Sequence, residues 1–319
     1  MDVAIMIEGQ HGLTWDRWQA VARAVEDCGY AGLYRSDHFT TPAPPDRDSL
    51  ELWVSLTWLA SHTVRLEFGP LVTPCSFRHP VHTARMAAAV DDLSGGRLTL
   101  GLGAGWQERE HATFGFDLLD LRERFVRFEE SLVVVTRLLR SDAPVTFAGR
   151  YYRLQNALLL PRPQRAGGPP ILVGGNGVRR TLSLAARFAD EWNATFQTPD
   201  AFARLSGRLD ARLRARGRDP QSVRRSLMTG VVFGSTDQEV RRRLERRGHS
   251  LEQVRARGVV VGGPQEVVDQ LAAFQRAGVQ RIMLQWLDLD DLDGLERLAR
   301  AVLPHFPSPN RPRPGAGGG

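Results

Sequence analysis

The sequence is poor in cysteine: Cys28 and Cys75 are the two in 319 residues, and they lie far apart. Such a pair supports neither a disulfide framework nor a zinc site, so both read as ordinary thiols and no metal is expected. Long apolar runs are missing as well; nothing approaches the ~20 residues of a membrane span. The opening MDVAIMIEGQ lacks the basic region and cleavage site of a secretory signal, which makes the cytoplasm the expected location. The stretch after the first apolar segment, EGQHG, is not the GxGxxG of a dinucleotide-binding turn. Finally, no aromatic stacking platform accompanies the arginines crowded between Arg204 and Arg257. They interleave with Phe202, Leu205, Leu209 and Leu213 at helical spacing, as a solvated helix face does, and nucleic acid is not an expected partner.

What remains is a chain with 42% hydrophobic residues, enough to bury one large core, and a net charge of +6 that would attract an anionic substrate or cofactor. Apolar segments of strand and helix period alternate along it. Strands are expected at Val3–Ile7, Ala31–Arg35, Val64–Val72, Arg97–Leu102, Ile171–Val173, Ala189–Ala194, Ser226–Phe233 and Arg281–Trp286. Helices fall between them. Thr14 caps one that Gly29 ends, and Pro80–Leu93, Leu121–Arg140, Val178–Phe188, Ala201–Arg216, Val240–Arg257, Gln265–Ala277 and a last segment to Val302 read as others. Val145–Leu154 reads as a hairpin or irregular excursion.

Eight strands each followed by helix point to a (β/α)8 TIM barrel with insertions, in one domain over residues 1–305, with 306–319 as a disordered Pro/Gly-rich tail. In such a barrel the active site lies at the carboxyl ends of the strands. That rule collects Glu8, Asp37 and His38, Thr73, Gly103 to Trp106 with Glu108, Gly174 to Gly177, Trp192 with Asn193, and Gln285 with Trp286. His38 can move a proton near neutral pH, and Glu8 in a dry pocket can donate one. Each also has an ordinary reading, Asp37–His38 as a capping pair and Glu8 as a solvent-facing carboxylate. The loop Gly174-Gly175-Asn176-Gly177 opens a helix near Arg179 and Arg180, a setting for a phosphate; a glycine cluster alone could equally be a plain turn, but its place after the fifth strand favours the phosphate. Gly103-Ala104-Gly105 reads as close backbone approach to a flat ring, because the following QERE is not a clean helix start. Trp106, Glu108, Trp192 and Trp286 are candidates for substrate-pocket walls, the tryptophans being equally candidates for the core.

Four stretches, GYAGLYRSDHF, Arg78 to Trp106, PPILVGGNG and Gly262 to Gln285, together resemble the luciferase-like monooxygenase superfamily, and within it the oxidoreductases that use the deazaflavin coenzyme F420. The resemblance covers nearly the whole chain. It implies that Asp37 and His38 lie against the deazaflavin ring, and that a non-prolyl cis peptide at Leu71–Val72, beside Thr73, backs it. It further implies that Gly174, Gly175 and Gly177 bind the cofactor phosphate. Glu8 resembles the first-strand glutamate of methylene-tetrahydromethanopterin reductases, thought to protonate the substrate. Sugar-phosphate dehydrogenases of the superfamily carry Glu and Trp where this chain has Trp106 and Pro42, which disfavours that substrate. The expected activity is hydride transfer with a small organic substrate, most simply reduction of a C=C or C=N bond, with Glu8 or His38 supplying the proton. The alternatives are an FMN-dependent monooxygenase and a non-catalytic flavin-binding protein. Homodimers are usual among such proteins and are expected here.

Overall fold

The computed structural model describes residues 1–307. Its strands are β1 (Asp2–Ile7), β2 (Gly32–Arg35), β3 (Glu67–Pro70), β4 (Thr73–Pro74), β5 (Leu100–Gly103), β6 (Val145–Ala148), β7 (Arg153–Ala157), β8 (Ile171–Gly174), β9 (Glu191–Thr195), β10 (Arg224–Phe233), β11 (Val260–Gly262) and β12 (Arg281–Gln285). Its α-helices are α1 (Trp15–Cys28), α2 (Leu52–His62), α3 (Pro80–Leu93), α4 (Glu108–Phe114), α5 (Leu121–Arg140), α6 (Thr181–Phe188), α7 (Pro199–Arg214), α8 (Asp237–Arg246), α9 (Leu251–Ala256), α10 (Pro264–Arg276) and α11 (Leu292–Val302). The main sheet runs β3-β2-β1-β12-β10-β9-β8-β5-β4, with every neighbouring pair parallel. β3 and β4 are one strand interrupted at Leu71–Val72. The ring closes where Thr99 N donates to Phe68 O at 2.8 Å and Phe68 N to Arg97 O at 3.1 Å. The result is the expected eight-stranded barrel.

Side chains alternate across each strand. On β1, Val3, Ile5 and Ile7 face the helices, while Ala4 and Met6 join Tyr34, Leu71, Leu172, Met228 and Met283 in filling the barrel. α1 shows how the outer layer is specified: Thr14 Oγ1 accepts from Arg17 N, Trp18, Val21, Ala22 and Val25 are buried, and Gly29 at φ 80° stops it. Each large apolar side chain so buried contributes ~1.5–3 kcal/mol. The floor of the barrel is ionic. Arg281, 1% exposed, donates to Tyr34 Oη at 2.5 Å and Glu191 Oε2 at 3.1 Å, and pairs with Glu67; Arg224 pairs with Asp2.

Several expectations need correction. Val240–Arg257 is two helices: Gly248 at φ 65° breaks the run and Ser250 caps α9 with a capping box. β11, absent from the sequence reading, pairs with the end of β10. The QERE segment does start a helix, α4, and α6 begins at Thr181 rather than Val178. Val145–Leu154 is a hairpin, β6 with β7. Phe306, placed in the tail, is buried against the core, and the rest of the expected tail, from 308 on, lies outside the described residues. Among the described residues no helix is long and apolar enough to cross a membrane. Both cysteines are free, and burial pushes the Cys75 thiol up to about 11.

Candidate active site

The loop after β2 places Asp37 and His38 differently. Asp37 is buried, and its Oδ2 accepts from Thr73 Oγ1 at 2.6 Å and from Arg78 at 2.5 Å. It ties the β2 loop to β4 and does not line the cavity, so both Asp37 and Thr73 support the wall from behind. His38 does face the cavity. Its Nδ1 donates to Glu110 Oε1 at 2.8 Å, while Glu110 Oε2 accepts the Phe39 backbone N–H at 3.1 Å. Burial alone would lower the His38 pKa, but the hydrogen bond and charge of Glu110, helped by Glu8 and Asp37, outweigh it and raise it. No protein group bonds Nε2 among the described residues, and Trp106 meets the ring edge-on at 5.5 Å.

A cavity of about 560 Å³ opens at the carboxyl end of the barrel. Glu8, His38, Glu110 and Arg124 are the ionisable residues on it; Leu71, Val72, Gly103, Ala104, Gly105, Trp106, Gly174 and Gly175 supply much of the rest. Leu71–Val72 is a cis peptide, as the resemblance implies. The bulge turns Val72 into the cavity wall, and this explains two glycines. A Cβ on Gly103 would sit 2.5 Å from Val72 Cγ2, and one on Gly174 would sit 3.0 Å from Val72 Cγ1. Gly103 thus makes a close approach to Val72 while itself lining the cavity, and Gly101 is pressed against Pro70 O.

The second glycine loop divides. Gly174 and Gly175 line the cavity, and Gly175 has φ 123°, a conformation that side chains disfavour. Asn176 turns away: its Nδ2 donates to Thr195 O at 2.8 Å and its Oδ1 accepts Thr195 N at 3.0 Å. Gly177 packs on the Thr181 hydroxyl, and Arg179 is exposed outside the cavity. The cation at the wall is Arg124 on α5 instead. It donates to the carbonyls of Gly105, Leu118 and Leu119 at 3.1, 3.3 and 3.1 Å and has no carboxylate partner among the described residues.

Three proposed pocket walls are elsewhere. Trp192 is fully buried, stacked on Phe202, and donates Nε1 to Gly175 O at 2.9 Å, which steadies the loop from outside. Trp286 lies in the core, and Glu108 is exposed on α4. Their neighbours are the site residues. Asn193, 1% exposed and lining the cavity, donates to Ser226 Oγ at 2.9 Å, while its buried Oδ1 has no partner among the described residues. Gln285 Nε2 donates to Glu8 Oε1 at 2.6 Å, and Gln10 Nε2 donates to Oε2 at 2.9 Å. Both oxygens of Glu8 accept, and neither donates. Glu110 and Arg124 were not among the sequence candidates. Their signal is helical: each sits on the inner face of a helix that follows β5.

A barrel whose mouth holds a histidine–glutamate pair and a glycine-lined, arginine-bearing wall has the form of an enzyme's active site. Comparison with known proteins gives the lineage. The model for the family described as luciferase-like monooxygenase matches residues 1–253, and the chain belongs to that family. It is 33% identical over 223 residues to the F420-dependent hydroxymycolic acid dehydrogenase of Mycobacterium tuberculosis (strain ATCC 25618 / H37Rv), covering 69% of this chain and 59% of that relative. The chain thus spans less than two thirds of that relative's length. It is 28% identical over 332 residues to the 4-hydroxyprotoasukamycin monooxygenase of Streptomyces nodosus subsp. asukaensis, covering 92% and 88% of the two chains. Among solved structures, an F420-dependent secondary alcohol dehydrogenase in complex with an F420-acetone adduct superposes with a TM-score of 0.85 at 18% identity, over 96% of this chain and 99% of the other. That similarity speaks for the fold.

Proposed function

We propose that this protein is an oxidoreductase that uses coenzyme F420 to interconvert an alcohol and a ketone. The observation that carries the reading is His38: an imidazole at the cavity wall, fixed through Nδ1 by a buried carboxylate, with Nε2 left for a ligand. The residues present fit the cofactor. Gly174 and Gly175 admit close backbone approach, Arg124 offers an uncompensated guanidinium for a phosphate, and Asn193 Oδ1 is a buried acceptor in want of a donor. Bound there, the deazaflavin supplies the site that takes or gives hydride.

The chain's own part is orientation and proton handling. His38 Nε2 takes the hydroxyl proton as the alcohol is oxidised and returns it in the reverse direction. The Glu110 carboxylate keeps Nδ1–H pointed away from the cavity and stabilises the imidazolium that forms. Leu71 and Val72 close the wall behind the ligand and exclude water. An alcohol or ketone is favoured as substrate by the dehydrogenase relative; an activated C=C or C=N would use the same proton site and is distinguished by substrate assay. The relative with monooxygenase activity keeps FMN as the second reading.

Tryptophan fluorescence titrated with F420 and with FMN, on wild type, Gly175→Asp and Arg124→Ala, tests this. Micromolar F420 binding is expected, weakened about tenfold or more in Arg124→Ala, where charge-assisted hydrogen bonds of ~1.5–3 kcal/mol are lost, and abolished in Gly175→Asp. Preference for FMN would replace hydride transfer by oxygen chemistry, and binding of neither would overturn the cofactor site.

A further inference from the structure

Glu8 reaches the cavity from the end of β1 held by neutral groups alone. Gln285 and Gln10 donate to its two oxygens, and Gln10 is itself fixed by Ser36, whose Oγ donates to Gln10 Oε1 at 2.7 Å and accepts Gly9 N at 2.9 Å. No arginine or histidine forms an ion pair with Glu8 among the described residues. His11, which feels its charge, has its pKa lowered by burial and makes no ion pair with it. The other cavity carboxylate, Glu110, is answered by His38. Glu8 therefore presents a carboxylate without an ion-pair partner to whatever enters, the positive groups that feel it, His38 and buried Arg35, being paired or bonded elsewhere. The lining is otherwise largely apolar, with Met6, Leu71 and Met228 buried and Trp106 and Leu121, 60% and 58% exposed, on the same cavity.

We propose that Glu8 selects substrate by charge: it rejects molecules bearing an anionic group near the reacting carbon, and the substrate is an uncharged alcohol or ketone on an apolar chain that leaves past Trp106 and Leu121. The inference rests on the alcohol–ketone reading above and gives it a substrate class. A like charge held in a partly desolvated site repels an entering anion by a factor of about ten or more, and such repulsion is how a site discriminates between ligands of equal shape. Glu8 is therefore a selector whose effect appears in the ratio of two affinities, not in the rate of a proton transfer.

The test is equilibrium binding of a methyl ketone and of the keto acid of the same chain length to the F420-loaded protein, read by tryptophan fluorescence, in wild type, Glu8→Gln and Glu8→Asp. Wild type and Glu8→Asp are expected to bind the keto acid about tenfold or more weakly than the ketone, with the gap shrinking as salt is added; in Glu8→Gln it closes to about threefold or less. Equal affinities in wild type, a gap that survives in Glu8→Gln, or failure of both ligands to bind the loaded protein would each overturn the proposal. Failure of F420 itself to bind would instead remove the reading beneath it. Should Glu8→Gln not fold, the salt series on wild type still decides.

Discussion

Arg281 at the floor of the barrel and Arg124 at its mouth are both withdrawn from bulk water, yet their surroundings differ. Arg281 is enclosed by Glu67, Glu191 and Tyr34. Burial alone would make its charge harder to hold, but Glu191, Tyr34 and Glu67 outweigh that and raise its pKa. Among the described residues Arg124 has three carbonyls and no carboxylate, and across the cavity Glu8 has two amides and no ion-paired cation. Charges at the floor are satisfied by one another and hold the strands in register. At the mouth His38 and Glu110 answer each other, but Arg124 and Glu8 are positioned without an ion-pair partner, the condition a binding site needs and a fold does not.

Breaking the floor should unfold the protein, whereas breaking the mouth should silence it. Arg281→Ala removes the buried cation that answers Glu191, and a loss of ~3–5 kcal/mol in chemical denaturation is expected. His38→Gln is the opposite case. It should lower kcat by about a hundredfold or more with F420 and a secondary alcohol, while stability, measured above the raised His38 pKa, stays within ~1 kcal/mol of wild type. A variant pair in which both effects fell on stability would erase the distinction between the two ends.

The smallest effect expected is on stability against pH. Because Glu110 and its neighbours raise the folded-state pKa of His38, the pair stabilises the fold fully below the ordinary histidine value of ~6.5. That contribution is lost as pH rises through the raised folded value. In Glu110→Gln the pH dependence of the unfolding midpoint should flatten over that window, as urea titrations at a series of pH values would show.

The barrel was legible because its signal is repeated: strand and helix periods alternate eight times, and small boundary errors do not change the count. β11 was missed since three residues, Val260–Gly262, carry no period. At the site, the rule that functional groups sit at strand ends found Glu8, His38, Gly174 and Gly175, but it does not say which way a side chain points. Alternation along a strand does. Trp192 and Asn193 are consecutive, so one faces the helices and the other the cavity, and the same holds for Gln285 and Trp286. The large aromatic residue drew the assignment in both cases, and in both it belongs to the core. Glu110 was lost for a different reason: with QERE read as loop, no face could be given to it, and Glu108 was preferred although α4 turns it to solvent. Arg124 lay in a helix correctly read, yet its direction depends on how α5 packs, which no local pattern encodes.

The pH dependence of kcat for F420 reduction by a secondary alcohol, in wild type and Glu110→Gln, tests the central claim most directly. If neutral His38 accepts the proton, the rate rises with pH through its pKa. That limb should lie above ~6.5 in wild type and move to lower pH once the Glu110 carboxylate is gone. A limb at the same pH in both proteins would contradict the assignment of the His38–Glu110 pair as the proton site.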